Sequence, residues 1–245
     1  MDTRVTLTAF TFEARYWLSD RVGLQGTMSL EDRDLLNATF PPEGRGGERR
    51  HDNLRGLGDV RLLARAVITR QVGGRSLLSA VALGTTVPTG VVRPDPLVGP
   101  TDATLQLGSG VFAPLAAADL LADLDRPSRH IFAALSAQIP VYANRHGYRI
   151  GPAAFGSVGV GQLLLSDRLA MRAGAWASAR GHDHRGPFEI TNTGGRMIGA
   201  LLRVAFAFNE DLSAGLEWRQ PLYRFVNGVQ VIEQLAAAVS VTYRM

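Results

Sequence analysis

The stretch GHDHR, Gly181 to Arg185, sets two histidines against a carboxylate: His182, Asp183 and His184. Histidine and carboxylate together can hold a metal or pass a proton. A metal site needs three or four converging ligands, and no further ligand types lie close by in sequence. As an Asp/His hydrolytic pair the cluster resembles protease chemistry in residue type alone. Flanked by Arg180 and Arg185, it reads as a solvated loop. His130 and Ser136 stand six residues apart on one candidate strand, too far for the direct hydrogen bond that an activated nucleophile requires. The glycine-rich runs LGSG (Leu107–Gly110) and GSVGVG (Gly156–Gly161) lack the following helix that a phosphate-binding loop needs. The chain has no cysteine, which removes disulfides and thiolate metal sites.

A different chemistry lies in side chains that share one parity along alternating segments. Glu13, Arg15, Asp59, Arg61, Arg65, Arg172, Arg203, Glu217, Arg219 and Arg244 all fall on the polar face of their segments. They could form ion-pair ladders filling an interior. Their excess of arginine over acid also fits an eyelet favouring anionic solutes such as aromatic carboxylates. Trp17 and Trp176 share the polar parity, and Trp176 is placed among the lumen-lining residues, where it could stack on an aromatic solute. Tyr16, Tyr243 and Trp218 lie on the apolar side near segment ends, as an interfacial girdle would.

The elements that must position these residues are strands. Apolar residues alternate with polar ones through Phe10, Phe12, Ala14, Tyr16 and Leu18, through Leu62, Ala64, Ala66 and Ile68, and through Leu235, Ala237, Val239, Val241 and Tyr243. That period of two is the signature of a strand with one apolar face. LSDR occurs at Leu18–Arg21 and again at Leu165–Arg168, each between alternating segments, with NED at 209–211 in the same role; these are hairpin turns. Connections alternate short and long. One breaks the rhythm: AAADLLADLDRPSR, Ala116–Arg129, reads as a small helical excursion in place of a short turn. The long connections are expected to be loops, including Glu31–Gly58 with its arginine-rich GRGGERRH, Gly44–His51.

Composition agrees. The 245 residues are 46% apolar with a formal charge of +4, and all 26 basic residues are arginine. Dispersed charge of this kind gives no nucleic-acid surface. No run of 18 apolar residues exists, so a transmembrane helix is excluded, and no signal peptide is visible. The fold class is therefore an all-β, transmembrane, antiparallel up-and-down β-barrel, one domain over residues 1–245. The alternating segments number about eleven, whereas single-chain bacterial barrels have even counts. Twelve strands are expected, with one strand and a signal peptide missing from this chain or hidden in it.

Together, GLGDVRLLARAVI (Gly56–Ile68), TTVPTG (Thr85–Gly90), QLGSG (Gln106–Gly110) and the turn YWLSDRVGL resemble the outer-membrane transporter family associated with phenol degradation in Gram-negative bacteria. The chain departs from outer-membrane habit in ending on Met245, with Tyr243 two positions earlier. The resemblance implies a porin-like channel in the cell outer membrane for passive uptake of small hydrophobic or aromatic molecules. No cofactor, metal or catalysis is required. Its partners would be the bilayer and lipopolysaccharide, the barrel assembly machinery and the solute. The alternatives are a barrel hydrolase using rim His and Asp residues, a closed structural barrel, and a soluble β-sandwich.

Overall fold

A computed structural model of the chain describes residues 2–39, 48–72, 74–90, 107–124, 128–227 and 236–244, with the side chains of 2–8, 33–39, 48–53, 72 and 244 set aside. The described residues form strands and turns, without a helix. The strands are β1 Asp2–Trp17, β2 Val22–Thr39, β3 Glu48–Leu57, β4 Val60–Val72, β5 Arg75–Val87, β6 Ala113–Asp123, β7 Arg129–Gln138, β8 Tyr148–Arg149, β9 Ala153–Leu164, β10 Leu169–Arg180, β11 Asp183–Arg185, β12 Phe188–Ile190, β13 Gly195–Ala207, β14 Leu212–Val226 and β15 Ala236–Arg244.

Twelve of these make one sheet, in which β1, β15, β14, β13, β10, β9, β7, β6, β5, β4 and β2 follow one another and β2 returns to β1. The sheet is thus a closed barrel of eleven strands with β3 as an extra. Every seam is antiparallel except the last. β1 and β15 run parallel, from Phe10 opposite Val239 to Arg15 opposite Arg244. An odd number of up-and-down strands leaves the first and last pointing the same way, so the described barrel closes with eleven strands on a parallel seam, in place of the expected twelve.

Two expectations about connections are corrected. The described part of Ala116–Arg129 is not helical: β6 runs through Asp123, and Leu124 N donates to Arg129 O at 2.9 Å. Alanine is neutral between periods, and what fixes this segment as a strand is its place between β5 and β7. Nor is Glu31–Gly58 simply a loop. β2 continues to Thr39 and β3 returns beside it, Leu57 opposite Leu30, while Gly44–Gly47 of the arginine-rich segment lie outside the described residues. β3 and β4 follow one line along β2, interrupted at Gly58 and Asp59, where a Cβ on Gly58 would strike the Ser29 hydroxyl and the Glu31 carboxylate.

The two LSDR turns close differently. At the first, the Ser19 hydroxyl accepts from Val22 N at 3.2 Å, and Asn209 does the same for Leu212 N at 2.7 Å in the NED turn. At the second, Leu165, Ser166 and Asp167 have φ of 52°, 53° and 68°. Left-handed backbone costs non-glycine residues about 1–2 kcal/mol each. Asp167→Gly is therefore expected to stabilise this hairpin by about 1 kcal/mol, read as a raised urea midpoint, whereas glycine at Asp20 should give no such gain.

The strands sort their side chains by parity. Phe10, Phe12, Leu24, Leu62, Val81, Leu83, Leu135, Val158, Val160, Val239 and Val241 are among the outward, exposed apolar residues. On the alternate positions sit Glu13, Gln25, Arg65, His130, Phe132 and Trp176, half-buried or buried. Aromatic side chains edge the outer band at both ends. Tyr16, Tyr243, Phe206 and Phe208 lie near the short turns, and Tyr223 and Phe225 near the long loops, all exposed. An apolar band encircling a barrel is far larger than the few hundred Å² that a monomer in water exposes.

Candidate solute pathway

An eight-stranded barrel is just wide enough for its side chains to fill, whereas sixteen strands leave an open channel. Eleven strands fall between, so inner side chains decide how much room remains. Ring order divides the inner face into two arcs, β7 to β14 on one side and β15 to β6 on the other.

The first arc carries an aromatic cluster. Phe132, Trp176 and Leu201 are buried together, with Phe155 and Met197 packed on them. Phe155 stacks on Trp176 with ring centres 5.9 Å apart, and Trp176 Nε1 donates to Ala200 O at 3.0 Å. Glycines make this possible. A Cβ on Gly199 would stand 2.7 Å from Trp176 Nε1, and one on Gly161 would strike the His130 ring. Large inward side chains thus lie flat over bare backbone of the next strand. Gly199→Val is expected to displace the indole and cost about 1–3 kcal/mol, seen as lower urea stability together with a changed tryptophan emission.

Guanidinium groups cover the cluster. Arg172 lies over Phe132, 5.6 Å from the ring centre, and Arg219 lies over Phe155 and Trp176 at 5.5 and 5.8 Å. Arg219 also pairs with Glu217 at 3.5 Å. Arg203 lies between Arg172 and Glu217 in register.

The opposite arc is ion-paired. Arg15 Nε meets Glu13 at 2.6 Å, and Gln25 donates to the same carboxylate at 2.9 Å. Arg65 reaches across β5 to Asp119 at 2.8 Å over the small inward Ala82 and Ala117. Arg61, inward between Thr27 and Thr86, has no ion pair among the described residues. Arg244 is placed beside Arg15 by register, and its side chain lies outside the described residues.

Asp59 stands apart from the rest. At the long-loop end of β4 its carboxylate accepts from Gly90 N at 2.9 Å, Ser109 N at 2.7 Å and Ser109 Oγ at 2.6 Å. It fastens the connection between β5 and β6 to the barrel wall, a structural duty.

Asp183 has a similar duty. Wholly buried, it receives Arg180 at 2.7 and 2.8 Å, Gly151 N at 2.7 Å and the Tyr148 hydroxyl. These bonds hold the small sheet β8, β11 and β12 at the long-loop rim. His182 sits 3.6 Å from Glu189 and 3.3 Å from Asn227. Among the described residues no three metal-ligating side chains converge. His130 and Ser136 share the inner face of β7 without contact: Ser136 is opposite Ala117 and Phe155, His130 opposite Asp123 and Gly161.

Sequence parity alone missed Phe132, Phe155, Leu201 and Asp119. The aromatics were legible as inward by alternation, but their meeting depends on register across four strands. Asp119 lay in the segment read as helical.

No protein-family model matches the sequence, and no curated protein matches it. Among solved structures, the chain is similar to an outer-membrane channel from Pseudomonas putida F1, with a TM-score of 0.63 over 94% of this chain and 79% of that one, at 13% identity. A likeness at that identity is one of architecture, the closed barrel.

Proposed function

We propose that the chain is an outer-membrane channel, porin-like, passing small hydrophobic or aromatic molecules passively, as the resemblance to the transporter family associated with phenol degradation implies. The observation that carries this reading is the division of the barrel's two faces. Outside is a continuous apolar band with aromatic ends on strands long enough to cross a bilayer. Inside, among the described residues, arginines outnumber the carboxylates that could neutralise them. The solved neighbour is described as an outer-membrane channel, which supports both location and passage. Glu13, Arg15, Arg61, Arg65, Arg172, Trp176, Arg203, Glu217, Arg219 and Arg244 line the route in this reading, and Asp59 supports its wall.

Single-channel conductance of the refolded protein in a planar bilayer tests it. Discrete, anion-favouring steps are expected. Arg61→Ser should reduce the anion preference severalfold, because an unpaired cation in a water-filled pore sets selectivity by its charge. Arg65→Ser should reduce it to a similar extent, since it leaves the Asp119 carboxylate uncompensated. A correctly inserted but silent barrel would overturn the channel in favour of a closed structural barrel.

A further inference from the structure

The inward cations are not equivalent. Arg15, Arg65 and Arg219 each hold a carboxylate. Arg172 and Arg203 do not: among the described residues neither has an ion pair, and register sets them directly opposite each other on β10 and β13. Glu217, next in the row, points its ion pair to Arg219. Like charges directly opposite one another on one face of a sheet destabilise it. Arg172 is further committed: its guanidinium lies over Phe132, and its Nε is buried without an acceptor. A guanidinium covered on one face by a ring keeps its N–H fork free at the edge, the geometry that grips a carboxylate.

We infer that the Arg172–Arg203 pair is a binding station for a small organic carboxylate, bridging the two guanidinium groups, with aromatic acids of the benzoate class preferred. The inference rests on the channel reading of the inner face and adds the ligand class. One carboxylate cancels the repulsion of the opposed pair, held by the terminal N–H groups of the two guanidinium forks. An attached aromatic ring can stack on guanidinium planes and on the apolar wall of Phe132 and Leu201.

The test is equilibrium dialysis of radiolabelled benzoate against the refolded protein in detergent micelles, beside Arg172→Gln, Arg203→Gln and, as a turn control of equal charge change, Arg168→Gln. Folding of each is checked by heat-modifiable gel mobility. Wild type is expected to bind saturably, with acetate competing more weakly and neutral phenol not at all. Each glutamine variant should lose about tenfold or more in affinity, the loss of a charge-assisted hydrogen bond, while Arg168→Gln stays within about twofold. Absence of saturable binding by folded wild type, or binding by both folded glutamine variants as tight as that of wild type, overturns the station. Conductance measured on the same samples separates the two readings: current without benzoate binding removes the station alone, and binding without current removes the channel alone.

Discussion

Val81→Arg is expected to destabilise the protein in a bilayer by about 2–4 kcal/mol, the cost of an arginine on the lipid face of a barrel near the midplane. Val81 lies midway along β5, points outward and is 52% exposed. It stands opposite Ala66 and Ala118, small outward residues that could not shelter a guanidinium from lipid. The same change on a water-facing sheet would move stability by no more than about 0.5 kcal/mol. Urea titration of the variant folded into vesicles decides between them. An unchanged midpoint would mean that the apolar band does not face lipid, and the soluble sandwich would return. The inward neighbour Ala82 gives the internal contrast: it is buried, so Ala82→Arg fails by overpacking against Ala117 whatever surrounds the barrel.

That contrast shows what the sequence could and could not disclose. Because side chains alternate strictly along a strand, Val81 and Ala82 are assigned to opposite faces as soon as the segment is read as a strand. The parity of Arg65, Arg172 and Trp176 followed in the same way. Pairing did not follow. Arg65 meets Asp119 only because β4, β5 and β6 are neighbours in one register, and Asp119 lies in an alanine-rich stretch whose apolar spacing suits a helix as well as a strand. Arg172 and Arg203 were both legible as inward arginines, but their direct opposition is a property of the β10–β13 register alone. The repeated LSDR carried the turn and not its conformation, since hairpin geometry also depends on how the flanking strands pair. The parallel seam of β1 and β15 left no local signal, because closure is decided by the number of strands.

The other large effect is expected at the rim. Asp183→Ala removes a wholly buried carboxylate and leaves Arg180, Gly151 N and the Tyr148 hydroxyl without their acceptor. Breaking a buried ion pair from one side costs about 3–5 kcal/mol. The loss should fall on the small rim sheet, whose strands β8, β11 and β12 pair over only two or three residues. Barrel strands, each joined to two neighbours over longer registers, should stay closed. Hydrogen exchange is therefore expected to speed up at Gly151 N and at Asp183 N, which donates to Thr193 at 2.8 Å, while amides of β9 and β10 keep their protection. Protease should cut between β10 and β13 in the variant and spare the wild type. Asp183→Asn keeps acceptor capacity for Gly151 or Tyr148 but cannot match the charge of Arg180, so it should fall between the two. If Asp183→Ala instead unfolded β9 and β10 with the rim, the carboxylate would be part of the barrel wall, and the long-loop rim could not open independently of the pathway beneath it.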